Sequence, residues 1–444
     1  MHYLTSAIVC ITLLLAAAAA ADDASDLQRL HRNFENLHRS LQNRGGISPG
    51  DAAAIDRLRE KFASYNAANE ATARSLAGEL QLSAWLEDHD RVDELFEQLL
   101  RLDPDQPGVG DAWASYFERL DQQDRVDEIY TTLLQIAPDS KDVRISQARR
   151  LRQRNEYAAA LDMLNELSPS DAESPEAVML RSECLYADHR FEEAVAALHE
   201  IPEEVLQEQP RLRRQIEQAL ELRESYVELW AQELAIREAE ATADLPRAEI
   251  VTERGSIIVE LFEDNAPNTV ANFITLAESG FYDGTTFHRV LPNFMAQGGD
   301  PNTKPDGTGT PGSGGPGYVI ADEWEREDAR KHFAGTLAMA NSGPNSAGSQ
   351  FYITHQPVNH LNQGYTAFGR VLEGLELVRS IKKDDRIEAV RVLTKRDHEY
   401  EVVHYTAPPQ SPPNPMIPEG LSPELLEQVE QKLRESQQTA PPAE

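Results

Sequence analysis

Apolar residues recur at intervals of three and four through the first part of the chain and at every second position beyond Ala248, so a helical part precedes a strand-rich part. Leu27, Leu30, Phe34, Leu37 and Leu41 predict an amphipathic helix that stops at Gly45-Gly46. Ser48-Pro49 opens a second, with Ile55, Leu58 and Phe62 on its stripe. From Thr72 to Pro202 the chain repeats itself. Arg91-Val92-Asp93-Glu94-Leu95, closing on Leu102-Asp103-Pro104, returns as Arg125-Val126-Asp127-Glu128-Ile129, closing on Ile136-Ala137-Pro138, an offset of 34 residues. Tyr157 to Pro169 and Phe191 to Pro202 are looser copies at the same offset. A helical hairpin of this size buries its apolar face only by stacking on its neighbours, which predicts an α-solenoid. A long helix comes next, from about Pro210 to Ala241, striped by Leu212, Ile216, Leu220, Val227, Trp230 and Leu234, and Leu245-Pro246 ends it. It is expected to cap the array or to connect it stiffly to the next domain, with Trp230 in a core.

The strand period begins with Ala248–Val251 and Ser256–Leu261 around Glu253-Arg254-Gly255, a hairpin signal. Pro267 to Ser279 reads as a helix ended by Gly280. The stretch Phe287 to Pro301 then carries an arginine among bulky apolar residues, and alternation is expected to bring Phe287, Arg289, Phe294 and Met295 together across two runs broken at Pro292-Asn293. A guanidinium cannot shed its proton, so Arg289 needs water, a carboxylate or a ligand oxygen. The next acid along the chain is Asp300, beyond Gly298-Gly299. Residues 305–317 are glycine-rich. They lack the Gly-Lys-Ser/Thr ending and the strand-to-helix context of a phosphate loop, and read as a mobile surface loop.

Composition narrows the function. The 444 residues carry 75 acidic against 42 basic side chains, a net charge of −33, which argues against nucleic acid, whose phosphates demand a basic surface, as a partner. Met1 to about Ala21 reads as a secretory leader whose apolar run is shorter than the ~20 residues that span a bilayer. The expected location is therefore periplasmic or extracellular after cleavage near Ala21, the alternative being an uncleaved membrane anchor. Cys10 lies in that leader, so Cys184 is the single remaining thiol. The segments expected are a leader (1–21), N-terminal helices (22–71), helical repeats (72–205), a connecting helix (206–246), a strand-rich domain (247–396), and a proline-rich linker with a C-terminal helix striped by Leu425, Leu426, Val429 and Leu433 (397–444).

Several separated blocks stand in one order: Ala266-Pro267, Thr269-Val270-Ala271-Asn272-Phe273, Tyr282-Asp283-Gly284-Thr285, Phe287-His288-Arg289, Gln297-Gly298-Gly299-Asp300, Gly348-Ser349-Gln350-Phe351 and Phe368-Gly369-Arg370-Val371. In that order they resemble the cyclophilin-type peptidyl-prolyl cis-trans isomerases, over about a third of the chain. The resemblance implies an antiparallel eight-stranded β-barrel capped by two helices, joined here to an all-α array. It implies no cofactor and no metal, and substrates that are proline-containing polypeptides. Arg289 matches the family's catalytic arginine. Phe294, Met295, Tyr352 and Leu361 match its proline pocket, and Gln297 and Asn341 match the residues that bond the substrate backbone. Ala340, Ser342 and Gln350 match the adjoining groove, and His288 is the motif histidine. Two positions depart: His360 stands where many relatives have tryptophan, which implies weaker cyclosporin-type inhibition, and Tyr365 stands where many have histidine, a change expected to be tolerated. The 34-residue unit resembles the tetratricopeptide repeat, which implies a protein-binding array; its acidity argues against the mode in which lysines grip acidic C-terminal peptides.

Bland readings compete with these. The barrel can be a non-catalytic proline reader in a scaffold protein whose working part is the array. His355 and His360, five apart across a proline, do not suit chelation. His89 and His189 read as solvated caps of the repeats, and the acidic runs 88–94 and 323–328 lack the spaced oxygens and glycine of a calcium loop.

Overall fold

The computed structural model describes residues 25–42, 47–103 and 108–405; the leader, Gly45-Gly46, Pro104, the proline-rich linker and the C-terminal helix lie outside the described residues. The first helices are α1 (Ser25–Gln42), α2 (Pro49–Ala68), α3 (Ala73–Trp85), α4 (His89–Leu102), α5 (Val109–Glu118), α6 (Gln123–Ile136), α7 (Lys141–Gln153) and α8 (Tyr157–Asn165). A short α9 (Pro169–Ala172) precedes α10 (Pro175–Ala187), α11 (Phe191–His199), α12 (Glu203–Glu208) and the long α13 (Pro210–Glu240). Their starts follow from local chemistry. Ser48 with Asp51 and Thr72 with Ser75 form reciprocal caps on α2 and α3, and proline supplies the first position of α2, α10 and α13.

Four hairpins, α3–α4, α5–α6, α7–α8 and α10–α11, share one turn. Its non-glycine residue is left-handed at Glu87, Asp121, Asn155 and His189, positions 34 apart. In each turn the following N–H reaches back five residues: Asp88 to Ser83 O, Gln122 to Phe117 O, Glu156 to Leu151 O and Arg190 to Leu185 O. This is the Schellman closure that satisfies the carbonyls of the first helix. Most of the array's arginines are paired between and within hairpins. Arg91 pairs with the buried Glu79, Arg125 with Asp93, Arg150 with Glu118 and Asp127, and Arg152 with Glu183.

The strand-rich part holds β1 (Arg247–Thr252), β2 (Gly255–Leu261), α14 (Pro267–Glu278), β3 (Arg289–Leu291), β4 (Met295–Gly298), β5 (Thr336–Met339), β6 (Phe351–Thr354), β7 (Ala367–Glu373), α15 (Leu375–Ser380) and β8 (Ile387–Thr394). One curled antiparallel sheet runs β3-β4-β6-β5-β7-β2-β1-β8. Its two edges meet just before β3 and β8, where Phe287 N–H donates to Asp385 O (2.9 Å) and Ile387 N–H to Thr285 O (2.8 Å) around the Thr286–Arg386 bridge. These bonds tie the two edges together at that point and curl the sheet around its core. The core inside holds Val259, Leu261, Phe273, Phe351, Ile353 and Phe368, with α14 and α15 supplying Phe273, Ile274 and Val378.

Four expectations need correcting. Phe287 points into this core and not toward Arg289's neighbours, because the chain joins the ladder only at Arg289. Leu234 is 48% exposed; the inner face of α13 instead buries Ile216, Arg223, Tyr226 and Glu233, since that face meets a polar loop of the barrel as well as the array. The 305–317 loop is tied down: Asp300, fully buried, accepts from Gly312 N–H (2.5 Å) and Gly314 N–H (3.1 Å). His189 is no solvated cap. It stacks on Trp230 at 4.3 Å, and its Nε2 accepts from Ala334 N–H of the barrel (2.9 Å).

The barrel therefore sits against the array. Phe333, 2% exposed, packs among Tyr226, Trp230, Phe191 and His189. Tyr226 O–H donates to His332 O (3.3 Å), and Arg330 is buried in a fork with Glu233 and Glu240 of α13. The long helix thus both caps the array and fastens it to the barrel.

Candidate active site

Strand period places the site on the outside of the barrel. Register pairs Arg289 with Gln297, Gln297 with Tyr352, and Tyr352 with Ala338, so these four form one row across β3, β4, β6 and β5. Their sequence neighbours Val290, Ala296, Phe351, Ile353 and Leu337 face the core. Behind the row lies a second apolar cluster, separate from the core: Met295, Ala338, Tyr352, Val358, Leu361 and Ala367 are buried, with Leu291, Phe294, Ala340 and Tyr365 partly buried around them. His360 stacks on Phe294 at 5.5 Å, and Tyr365 meets Tyr352 edge-on at 5.9 Å. This arrangement makes a greasy seat walled by rings, with Phe294 carried on the turn of the β3–β4 hairpin.

Arg289 stands at the exposed end of the row. Its Nη1 lies 3.4 Å from Gln297 Oε1, and among the described residues it has no carboxylate partner. Asp300, the next acid along the chain, is spent on the 305–317 loop. In a chain of net charge −33 this guanidinium is left to act on whatever enters the seat. Gln297 Nε2 donates to Gln350 Oε1 (2.9 Å), and Gln350 donates to Gly312 O (3.0 Å) and Gly314 O (2.9 Å), which fixes a polar strip along one side. Asn341 donates to Gly364 O (2.7 Å), and Ser342 N–H to Ser346 Oγ (2.9 Å), bracing the turn after β5 next to Ala340. His288 packs beside the Gly312 segment, where burial lowers its pKa and keeps the ring neutral at pH 7. Residues expected at the site thus converge, Arg289 and the amides along one side and the apolar residues in the seat. A shallow acidic depression on the solvent face of α13, lined by Glu217, Glu221, Glu224 and Glu228, has neither cation nor ring wall and does not compete.

Sequence reasoning missed His332, which holds the seat from behind. Asn362 Oδ1 accepts from His332 N–H (2.8 Å), so the same oxygen must accept from Nδ1–H (3.0 Å); Nε2 is then the acceptor for Tyr352 O–H (2.9 Å). The ring is fully buried, and burial pulls its pKa down to about 4. No periodicity or motif marks it, because its role comes from contacts made after folding. The linkage is testable. The unfolded histidine titrates near 6.5 and the folded one near 4, so the unfolded chain binds the extra proton between these values, and stability present above pH 6.5 is lost as pH falls. Between pH 7 and pH 5, above the main carboxylate range, His332 is expected to remove about 2 kcal/mol. Denaturant unfolding at the two pH values checks this, a His332→Gln chain being expected to lose about 2 kcal/mol less than the native one. Equal losses would mean that His332 contributes nothing to the loss, which the buried His189 and His355 then carry.

Residues 247–401 match the family model for the cyclophilin type peptidyl-prolyl cis-trans isomerase. A peptidyl-prolyl cis-trans isomerase of Synechococcus elongatus is 49% identical over 152 residues, which is 34% of this chain and 98% of that protein. Peptidyl-prolyl cis-trans isomerase B of Bacillus subtilis is 48% identical over 143 residues, 32% of this chain and 94% of that protein. The crystal structure of a Cryptosporidium parvum cyclophilin type isomerase is 30% identical, covering 34% of this chain and 99% of its own, with a TM-score of 0.30.

Proposed function

The chain belongs to the cyclophilin-type peptidyl-prolyl cis-trans isomerase family, and from that premise we propose that it speeds folding by rotating Xaa-Pro bonds in polypeptide substrates, with Arg289 as the catalytic residue. The observation that carries the assignment of Arg289 is its position: a guanidinium with no carboxylate partner among the described residues, at the open end of a row whose other members border an apolar, ring-walled seat.

Rotation about a prolyl amide breaks resonance and makes no covalent bond, and the uncatalysed barrier is about 18–20 kcal/mol. In the half-rotated state the proline nitrogen regains its lone pair and becomes an acceptor, which it is not in the planar amide. The seat formed by Phe294, Met295, Tyr352 and Leu361 takes the ring, and Gln297 and Asn341 hold the flanking backbone along the strip bounded by Ala340, Ser342 and Gln350. Arg289 then donates to a nitrogen that accepts only when the bond is twisted. Binding of this kind favours the transition state over either planar isomer. His360 and Tyr365 complete the rim as an imidazole and a phenol.

We assign the array to recruitment of protein partners. Most of its arginines, Arg91, Arg125, Arg150 and Arg152 among them, are held in ion pairs inside the array, which leaves few cations to grip an acidic tail, and a partner with basic or neutral segments fits it better. Export through the leader remains part of the proposal, and N-terminal sequencing of protein recovered from its native compartment tests it. For the activity, the purified chain is expected to accelerate cis-to-trans conversion of an Xaa-Pro peptide, and refolding of a proline-limited protein, in proportion to its concentration. A chain that raises refolding yield while leaving both rates at the buffer value is a scaffold with a proline-reading barrel, and the catalytic reading fails.

A further inference from the structure

We propose that Asn155, in the helical array, is a positioning residue of the isomerase site; this rests on the catalytic reading above. Asn155 occupies the left-handed turn between α7 and α8 (φ 63°) and is 4% exposed. Its side chain is fully engaged across the domain boundary. Oδ1 accepts from Asn293 N–H (2.6 Å) and from Tyr157 O–H (3.2 Å), and Nδ2 donates to Arg379 O (2.9 Å). Asn293, itself left-handed (φ 56°), is the turn residue of the β3–β4 hairpin, and the next residue is Phe294, the ring wall of the seat.

The opposite side of Phe294 is held by the same network. Its carbonyl accepts from His355 N–H (2.9 Å), and His355 O accepts from Arg379 Nε (3.3 Å). The Arg379 guanidinium lies 4.7 Å over the Tyr157 ring and donates to Ala187 O in the next repeat turn (2.8 Å). Among the four equivalent turn positions, Glu87 and Asp121 are exposed, whereas Asn155 and His189 face the barrel and bond to it. A repeat position that elsewhere only closes a helix hairpin is used here to aim a wall of the binding seat. Ring walls hold substrate geometry only if their own support is fixed, so releasing the hairpin turn weakens seating of the proline ring in planar and twisted forms alike. Loss of that kind appears in KM, with kcat little changed.

The test uses the full chain and an Xaa-Pro peptide, with kcat and KM separated by exchange spectroscopy. Asn155→Gly keeps the left-handed turn and removes the amide, and it is expected to raise KM about five- to tenfold, the worth of one lost hydrogen bond, with kcat within about twofold. Asn155→Asp keeps the acceptor for Asn293 N–H and is expected to recover most of that loss. Glu240→Gln removes the negative charge from an interdomain ion pair that touches no part of the hairpin and is expected to leave KM unchanged. Tyr157→Phe removes one hydroxyl from the same node and is expected to raise KM about two- to threefold, so it carries the test if Asn155→Gly does not fold. Unchanged KM in Asn155→Gly or Tyr157→Phe, no recovery in Asn155→Asp, or an equal rise in Glu240→Gln overturns the proposal. Absence of any catalysed rate in the native chain is a different result, and it removes the catalytic reading itself.

Discussion

Arg289→Ala is expected to lower kcat/KM for an Xaa-Pro peptide by about a hundred- to a thousandfold, the range seen when one donor to a transition state is removed. The loss should fall on kcat, because the planar amide offers its nitrogen no lone pair to accept with, so the guanidinium gains a partner only as the bond twists. Arg289 is exposed and its side-chain hydrogen bond to Gln297 is long, so the substitution leaves the apolar cluster and the fold intact. Unfolding of native and variant chains should therefore coincide. Arg289→Lys retains charge but not the planar fork, and it should fall between the two. A cis-to-trans assay with native and variant chains decides the matter. If Arg289→Ala retains rates within about threefold of native, the localised lone pair is not what the site stabilises, and the fork in this row has another purpose.

The site residues are legible through the resemblance carried by the ordered blocks, and strand period explains why they share a face. The alternation through Met295, Gln297 and Tyr352 puts their side chains on one side of neighbouring strands, and Arg289 joins the row because the turn at Asn293 sets a register that pairs it with Gln297. The 34-residue offset of the helical segments reappears as left-handed turns at Glu87, Asp121, Asn155 and His189. What could not be read depends on contacts between residues far apart in the chain. His189 follows an aspartate in a turn and looks solvated, yet docking places it between Trp230 and the Ala334 N–H. Asn155 and Asn293 are ordinary turn asparagines until the two domains meet. Leu234 fits the apolar stripe of α13 by spacing, but the face that meets the barrel is chosen by Glu233, whose carboxylate neutralises the buried Arg330. Periodicity reports which residues share a face; it does not report which face finds a partner of matching charge.

Docking also explains why a single aromatic side chain is expected to govern the whole molecule. Phe333 belongs to the barrel by sequence, but its ring is packed among the aromatic rings of the array, 4.9 Å from Trp230 and 5.7 Å from Tyr226. Truncating a buried phenylalanine of this kind costs about 3–5 kcal/mol. Since the ring lies outside the barrel core, the loss should fall on the joint between domains and leave barrel folding intact. Interfaces between domains of one chain are typically modest, so a deficit of that size is enough to uncouple them. Native protein is expected to unfold in one calorimetric transition over the coupled part, and Phe333→Ala in two separated ones. The flanking bonds should loosen with the ring, from Tyr226 O–H to His332 O and from Ala334 N–H to His189. His332 in turn braces Tyr352, so the variant's kcat/KM should drop by about an order of magnitude although no substrate-facing group has changed. One undivided transition with native catalysis would show that the array and the barrel are merely adjacent, and that the seat stands without its neighbour.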